Sequence, residues 1–303
     1  MSFRCLSSTT HAQDRQSEYD EFFRCTTQRW IWNEARQLAM RYKPFNVSAL
    51  KRVACDATGA KTCTSMIKFA EGSFNKIFLL KFDNGEECIA RIPCPGAGSD
   101  RLLISSEVAT LDFAHRHLGI STVPKILAWS ADGDGSEVGS SYMIMEKLPG
   151  VPLSDRWYSL TAKEAWDVMD STIQMEKTMR CVQFSQIGSL YFKEDVSEEL
   201  QSRRLYASDV PDDDASDRYR IGPTVEYDFW RGERKNLNID RGPWSDVYSY
   251  AVAVAEREKL WLSSFTPDRS AHLKGPYASR DAHLQLLDDF LATILNVDIP
   301  AHF

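Results

Sequence analysis

Three features of the chain could together hold a phosphate group. The stretch Glu71-Gly72-Ser73-Phe74 is typical of a turn between two strands, where backbone N–H groups can contact phosphate oxygens. Arg91 lies inside an apolar run, and an arginine can bind two phosphate oxygens at once. Glu107 follows in a stretch of helical periodicity, where a carboxylate can orient such a cation. Each feature alone also has a simpler explanation: a β-turn glycine, a surface arginine on an edge strand, and an acidic residue near a helix start.

A fourth feature is the segment 144–148, which follows the last predicted strand and precedes Pro149-Gly150. The backbone of such a connector can hydrogen-bond the edge of an adenine ring. The four features support one nucleotide site more strongly together, in this order and spacing, than any of them does alone. The predicted nucleotide-binding residues are Gly72, Ser73, Arg91, Glu107, Met145, Glu146 and Leu148.

The period of the apolar side chains indicates the elements that must position these residues. Strand formers are concentrated at 66–69, 76–82 and 87–92, followed by further predicted strands at 123–129 and 142–145. Asp83-Asn84-Gly85 predicts a hairpin with a type I′ turn. A helix is predicted to begin at Ser105 or Ser106, which would cap it and place Glu107 in its first turn. These elements predict an antiparallel sheet with a helix inserted after its third strand.

The regions on either side of this sheet are predicted to be mainly helical. Residues 18–60 form an N-terminal extension, with a long helical run ended by Pro44 and a short helix capped by Asn46. Residues 61–148 are the predicted nucleotide-binding lobe. Residues 149–303 are a partial helical lobe, with helix signals at 161–173, 246–262 and 281–295. Within it, residues 195–218 are acidic and broken by Pro211, which predicts an exposed insertion.

Composition argues against several classes of protein. The net charge of −7 argues against a general nucleic-acid binder, because phosphate neutralisation needs a basic surface. No uninterrupted apolar run approaches the length of a membrane-spanning helix. The seven cysteines include no Cys-x-x-Cys pair, so we expect buried thiols rather than a zinc site or a disulfide framework. Residues 1–13 contain no acidic residue, which suits either a transit segment over residues 1–17 or an ordinary frayed terminus.

Longer stretches of the chain carry a family resemblance. The segments that carry it are Arg29-Trp30-Ile-Trp-Asn33, Glu71-Gly-Ser-Phe-Asn-Lys-Ile-Phe78, Ile89-Ala-Arg-Ile-Pro93, Tyr142-Met-Ile-Met-Glu-Lys-Leu-Pro-Gly-Val-Pro-Leu153, Phe184-Ser-Gln-Ile-Gly-Ser-Leu-Tyr191 and Ile239-Asp-Arg-Gly-Pro-Trp244. They resemble the fungal aminoglycoside phosphotransferase-like proteins, over roughly residues 20–295. The resemblance implies an α+β, protein kinase-like fold, in which an antiparallel small lobe is followed by a mainly helical large lobe. It also implies an ATP-dependent phosphotransferase family and a mitochondrial rather than a cytoplasmic destination.

The catalytic segment of such enzymes has no counterpart in this sequence. Phosphoryl transfer in this fold uses an Asp and an Asn from a loop resembling H-x-D-x-x-x-x-N, and a second Asp that holds Mg²⁺. None of the six histidines is followed by Asp two residues later, and Asp228-Phe229 and Asp289-Phe290 lack a following glycine. The resemblance implies that the family's catalytic segment would come shortly after the helix at 281–295, so we expect the large lobe to be incomplete. No catalytic residue and no metal ligand is therefore assigned.

The sequence thus predicts a phosphotransferase-family protein that is catalytically incomplete as written and binds ATP weakly. Mg²⁺ is expected only together with a further C-terminal segment. Two alternatives stay open: a fragment of a complete ATP-dependent small-molecule kinase, and a non-enzymatic mitochondrial assembly or scaffold protein. The sequence does not indicate the substrate, because fold does not fix function.

Overall fold

The structure, a computed structural model, describes residues 18–96, 98–265, 279–294 and 297. The chain divides into two compact units. The first comprises Met1–Ile104 and Pro124–Lys147, and the second comprises Ser105–Val123 and Leu148–Phe303. The N-terminal extension and the sheet, which were predicted as separate regions, thus fall in one unit. The predicted transit segment, residues 1–17, lies outside the described residues.

The first unit is built on one antiparallel sheet. Its helices are α1 (Asp20–Phe23), α2 (Glu34–Met40) and α3 (Val47–Thr58), and its strands are β1 (Cys63–Glu71), β2 (Asn75–Phe82), β3 (Glu87–Pro93), β4 (Ile126–Ser130) and β5 (Tyr142–Glu146). The strand order is β1-β2-β3-β5-β4, and neighbouring strands run antiparallel. The helix α4 (Asp100–Arg116) follows β3 along the chain. This is the element order predicted for a kinase-like small lobe, and the predicted α+β class is confirmed.

One face of this sheet forms the core of the first unit. Strand alternation places Phe78 and Ala90 on this face, where they are fully buried in one cluster with Leu50 of α3. Asn46 begins α3 as predicted, since its Oδ1 accepts a hydrogen bond from the N–H of Ala49 at 3.0 Å. The opposite face is itself largely covered, since Leu79 is 7% exposed and Met143 is fully buried.

The turn between β2 and β3 differs from the predicted type I′. That turn needs positive φ at both central residues, whereas Gly85 has a φ of 84° and Asn84 does not lie in this region. Gly85 N–H donates to Phe82 O at 3.2 Å and Phe82 N–H donates to Glu86 O at 3.1 Å, which defines a three-residue loop with a bulge at the glycine. The side chain of Asn84 accepts a hydrogen bond from Glu86 N–H at 3.0 Å and so stabilises this loop.

The predicted long helical run in the N-terminal extension is wrong. Residues 24–33 lie between α1 and α2 and contain no helix. Thr26 and Thr27 lie in this break, and threonine is a weak helix former because its branched side chain is restricted in a helix. The apolar residues of this region do not form a buried stripe along a helix. Trp32, for example, is 77% exposed.

Two predicted element starts are also corrected. The strand predicted from residue 123 begins at Ile126, after Pro124, which has no N–H to donate to a sheet. The helix predicted from Ser105 or Ser106 begins at Asp100, and Leu103 N–H donates to Ser99 O at 2.8 Å near its start. Both serines are buried within the helix and do not cap it.

The second unit is mainly helical, as predicted. Its further elements are α5 (Leu153–Arg156), α6 (Ala162–Arg180), β6 (Ser189–Phe192), α7 (Glu198–Gln201), α8 (Asp214–Arg218), β7 (Tyr219–Gly222), α9 (Val247–Phe265) and α10 (Arg280–Ile294), with single 3₁₀ turns at Trp157–Ser159, Lys193–Asp195, Tyr227–Phe229 and Gly232–Asn236. Thr161 and Glu164 form the predicted capping box at the start of α6. β6 pairs antiparallel with β7, and Phe113 of α4 packs edge-on against Tyr219 with ring centroids 5.3 Å apart.

The acidic segment 195–218 is not simply an exposed insertion. Leu205 and Tyr206 are buried within the second unit, and Tyr206 OH donates to Asp213 Oδ2 at 3.3 Å. Asp213 also caps α8 through the N–H groups of its first turn. The acidic residues therefore lie around two buried side chains, which the charge pattern of the sequence did not predict.

Candidate functional site

The face of the sheet opposite the core carries a cation among apolar side chains. Directly opposed residues of antiparallel strands share a face, and the pairs that define this one are Ile77 with Arg91, Leu79 with Ile89, Arg91 with Met143, and Ile89 with Met145. Asn75 lies on the same face of β2, two residues before Ile77. We call this surface, made of Asn75, Ile77, Leu79, Ile89, Arg91, Met143 and Met145, the arginine face.

Arg91 is held in a defined orientation on the arginine face. Its Nε donates a hydrogen bond to Asn75 Oδ1 at 3.1 Å, which fixes the plane of the guanidinium group. Burial lowers the pKa of Arg91 from its ordinary value of 12.5, but an arginine stays charged in proteins. The role of Arg91 in binding stays a prediction, and the sequence did not point to its partner Asn75. The alternation of β2 was the signal that could have revealed it.

The turn between β1 and β2 leaves room for close approach to the backbone. Gly72 N–H donates to Asn75 O at 3.0 Å, which closes the turn. A Cβ atom added at Gly72 would meet no atom within 4 Å. The predicted turn residues Gly72 and Ser73 are both exposed, as a phosphate-contacting turn requires.

Below this turn lies a buried cluster of charges that the sequence did not predict. The side chain of Glu71 is 1% exposed and Lys76 is fully buried, and these two side chains form an ion pair. Lys68 Nζ lies 2.7 Å from Glu71 Oε2, and Thr26 N–H donates to the same oxygen at 2.9 Å. Although burial opposes it, the hydrogen bonds from Lys68 and Lys76 lower the pKa of Glu71. The cluster fixes the end of β1 from which the turn starts.

The connector follows the last residue of β5, an interior strand of the same sheet. Met145 pairs with Ile89 on the arginine face, and Glu146 N–H donates to Lys125 O at 3.0 Å. Lys147 Nζ lies 2.9 Å from Glu87 Oε2. Hydrogen bonds from Lys81 and Lys147 lower the pKa of Glu87 to about 2. These contacts hold the start of the connector against β3.

Two predicted site residues lie in the second unit. Glu107 is two turns into α4, because that helix begins at Asp100 rather than in the 105–106 region. The prediction that Glu107 lies in the first turn is therefore wrong. A favourable interaction of its charge with the helix N-terminus does not explain the residue either. Leu148 is exposed and begins the second segment of that unit. The facing of Arg91 and Glu107 stays a prediction.

The described residues contain neither a cluster of metal-ligating side chains nor a membrane-spanning helix. Across 18–96, 98–265, 279–294 and 297, no group of three or more His, Cys, Asp or Glu side chains is arranged to hold a metal ion. The helices of the same residues include none that combines the length and apolar character needed to cross a bilayer. Cys25, Cys55, Cys88 and Cys94 are buried free thiols, as expected, whereas Cys181 is exposed.

The strand order and the helix after β3 agree with the predicted kinase-like fold of the small lobe. No protein-family model matches the chain. The altered inheritance of mitochondria protein 9 of Candida tropicalis is 30% identical to it, over 84% of this chain and 47% of that protein. The protein of the same name from Candida albicans is 34% identical, over 77% of this chain and 42% of that protein. The chain is therefore similar to these proteins over most of its own length, and the predicted resemblance is confirmed.

A third relative is similar over a shorter stretch. A subtelomeric hrmA-associated cluster protein of Aspergillus fumigatus is 40% identical over 60% of this chain and 33% of that protein. The chain spans between about a third and a half of the length of the curated relatives named here. The two Candida relatives are named as mitochondrial, which agrees with the destination expected from the sequence.

Two solved structures of aminoglycoside phosphotransferases are also similar. APH(4)-Ia has a TM-score of 0.32 and 12% identity, over 83% of this chain and 86% of that chain. APH(2")-IIia, solved in complex with GDP and kanamycin, has a TM-score of 0.27 and 21% identity, over 37% of this chain and 34% of that chain. Neither similarity assigns a substrate to this chain.

Proposed function

We propose that this chain binds a nucleotide such as ATP on the arginine face, with its phosphates toward Arg91 and the turn at Gly72-Ser73. The observation that carries the proposal is the guanidinium of Arg91, which Asn75 orients at 3.1 Å within an otherwise apolar surface. An oriented guanidinium fork suits phosphate oxygens, and an apolar surface beside it suits a base.

Each part of the proposed site has a separate task. Arg91 would hold phosphate oxygens, and the open space above Gly72 would let the backbone of the turn approach them. Met145 would contact the base, while the connector at Glu146 and Leu148 would hydrogen-bond its edge. The role of Glu107 as a partner of this cation stays a prediction from the sequence. These roles apply to binding and involve no bond-breaking step.

The proposed activity is limited to binding. We propose that the chain as written is catalytically incomplete, because its sequence contains no H-x-D-x-x-x-x-N segment. Mg²⁺ would then act only where a longer protein supplies its ligands.

We further propose a mitochondrial destination, which the names of the two Candida relatives support. Imaging of a C-terminally tagged protein that stays in the cytosol would contradict this destination.

Arg91→Ala is expected to weaken ADP and ATP binding at least about tenfold, because a charge-assisted contact to phosphate contributes about 1.5–3 kcal/mol. Gly72→Ala should also weaken binding while leaving stability unchanged, since the added methyl meets open space in the free protein. The measurement is isothermal titration of each variant with ADP, ATP and adenosine. Adenosine affinity should change little in either variant, because it carries no phosphate.

The exposed Lys61→Ala is the matched control, since it removes a cation from the same unit without touching the arginine face. Equal loss of affinity in Lys61→Ala and Arg91→Ala would mean a non-specific charge effect and would count against the proposal. If the wild-type chain binds no nucleotide at millimolar concentration, the proposal fails, and the scaffold alternative becomes the better account.

A further inference from the structure

The turn at Gly72-Ser73 is held from outside by the non-helical segment that follows α1. We call residues 24–28 the strap. Thr27 Oγ1 donates to Glu71 O at 3.1 Å, and Gln28 Nε2 donates to Ser73 Oγ at 3.2 Å. The strap is anchored in turn by the buried cluster, since Lys68 Nζ donates to Arg24 O at 2.7 Å. Residues more than forty positions apart in the sequence thus meet at this turn.

Arg41, just beyond α2, adds a contact on the other side of the glycine. Its Nη1 donates to Ser73 O at 2.9 Å. The guanidinium also lies over the ring of Trp30, 5.1 Å from the ring centroid, which limits its freedom to leave the turn. Glu71 O and Ser73 O, the carbonyls on either side of Gly72-Ser73, are therefore both fixed by donors from the N-terminal extension.

These two contacts restrict the peptide group between them, because they hold the peptide group on each side of it. A peptide unit is planar, so a bond to its carbonyl also fixes its N–H on the opposite side. Thr27 fixes the Glu71–Gly72 unit in this way, and Arg41 fixes the Ser73–Phe74 unit. Glycine alone would leave the intervening Gly72–Ser73 unit free to rotate, because it populates a wide range of φ and ψ.

We propose that Arg41 and Thr27 are positioning residues that hold the Ser73 N–H in the orientation needed to bind a nucleotide phosphate. Neither residue touches the phosphate in this scheme, and both act through the peptide units of the turn. The inference rests on the proposed nucleotide site and adds a role for the N-terminal extension. It predicts that the extension determines phosphate affinity, whereas the base is bound independently of it.

Arg41→Ala and Thr27→Val are expected to weaken ADP binding about five- to tenfold each, as expected for the loss of one well-placed hydrogen bond. Adenosine affinity should not change. Arg41→Lys should restore part of the ADP affinity, because lysine can still donate one bond to Ser73 O but lacks the planar stack on Trp30. The measurements are isothermal titrations with ADP and adenosine, together with hydrogen exchange of the amides of residues 71–75.

Arg36→Ala is the matched control, because Arg36 is an exposed arginine on the adjoining helix α2. Thr27→Val keeps the shape of the side chain, so it tests the idea even if Arg41→Ala disturbs folding. Faster exchange at the turn with unchanged ADP affinity would overturn the inference. Equal losses of ADP and adenosine affinity would do the same, since they would indicate a general structural effect.

If the wild type binds ADP and Arg91→Ala weakens it while Arg41→Ala and Thr27→Val do not, only this inference fails. If the wild type binds no ADP, both fail.

Discussion

Glu71→Gln should lower the free energy of unfolding of the first unit by about 3–5 kcal/mol, the usual cost of removing one partner from a buried ion pair. Lys76 is fully buried, and Lys68 lies beside it with a side chain only 12% exposed. Without the carboxylate, two ammonium groups would remain close together with only carbonyl and hydroxyl acceptors, among them Arg24 O at 3.2 Å from Lys76. The neutral glutamine cannot compensate either charge.

The cost should come from the unpaired charge and not from lost volume. We therefore expect the double variant Glu71→Leu with Lys76→Met to recover much of the loss, because replacing a buried pair by apolar groups is often neutral. The measurement is a urea series followed by hydrogen exchange of the β2 amides. Glu87→Gln is the control, since Glu87 pairs with two lysines at the surface and should matter far less. Equal effects of Glu71→Gln and Glu87→Gln would show that the buried cluster contributes little.

The cluster should also make stability fall in acid. The pKa of Glu71 is lowered below its ordinary value of 4.5 in the folded chain, so the folded state binds its proton less readily than the unfolded state. The stabilisation is then present above pH 4.5 and is lost as the pH falls through the lowered pKa. Unfolding free energies measured from pH 6 to pH 3 should decline less steeply for the double variant Glu71→Leu with Lys76→Met than for the wild type.

The strands of the first unit could be predicted because their signal is local. Alternation along 76–82 and 87–92 gives both the strands and the face on which Arg91 lies. The predicted type of the turn between them was wrong, because the composition Asp-Asn-Gly suits two kinds of turn. The hydrogen bond from Glu86 N–H to the Asn84 side chain favours the longer loop. A local signal was thus sufficient for the elements and insufficient for the exact backbone between them.

The supports of the candidate site could not be predicted because they come from distant residues. Lysine is rarely fully buried, so nothing in the sequence suggests that Lys76 lies inside with Glu71. The contacts of Thr27 and Arg41 with the turn join segments 44 and 32 residues apart, and helical periodicity placed Thr27 in a helix. Only the folded arrangement brings these donors to the two carbonyls of the turn.

The purified 303-residue chain is expected to transfer no phosphate from ATP to any acceptor. The reaction needs an Asp to position the acceptor hydroxyl, and an Asn and a second Asp to hold Mg²⁺. The sequence contains no His followed by Asp two residues later, and its three Asp-Phe pairs, at Asp112, Asp228 and Asp289, all lack a following glycine. Even one lost electrostatic stabiliser typically lowers the rate about 10²–10³-fold, so the loss of several should bring turnover to background.

Binding and turnover should therefore separate in this chain. Arg91 and the turn at Gly72-Ser73 can attract phosphates, but binding substrate alone does not lower the barrier to transfer, because only interactions stronger in the transition state do so. The measurement is ADP release with Mg²⁺ and with Mn²⁺, run beside Arg91→Ala. Release in the wild type should equal that of the variant and of buffer. Turnover above background that disappears in Arg91→Ala would contradict the prediction. It would mean that carboxylates of this chain outside any H-x-D-x-x-x-x-N segment position the acceptor and the metal, and the search for them would begin with Asp228 and Asp289.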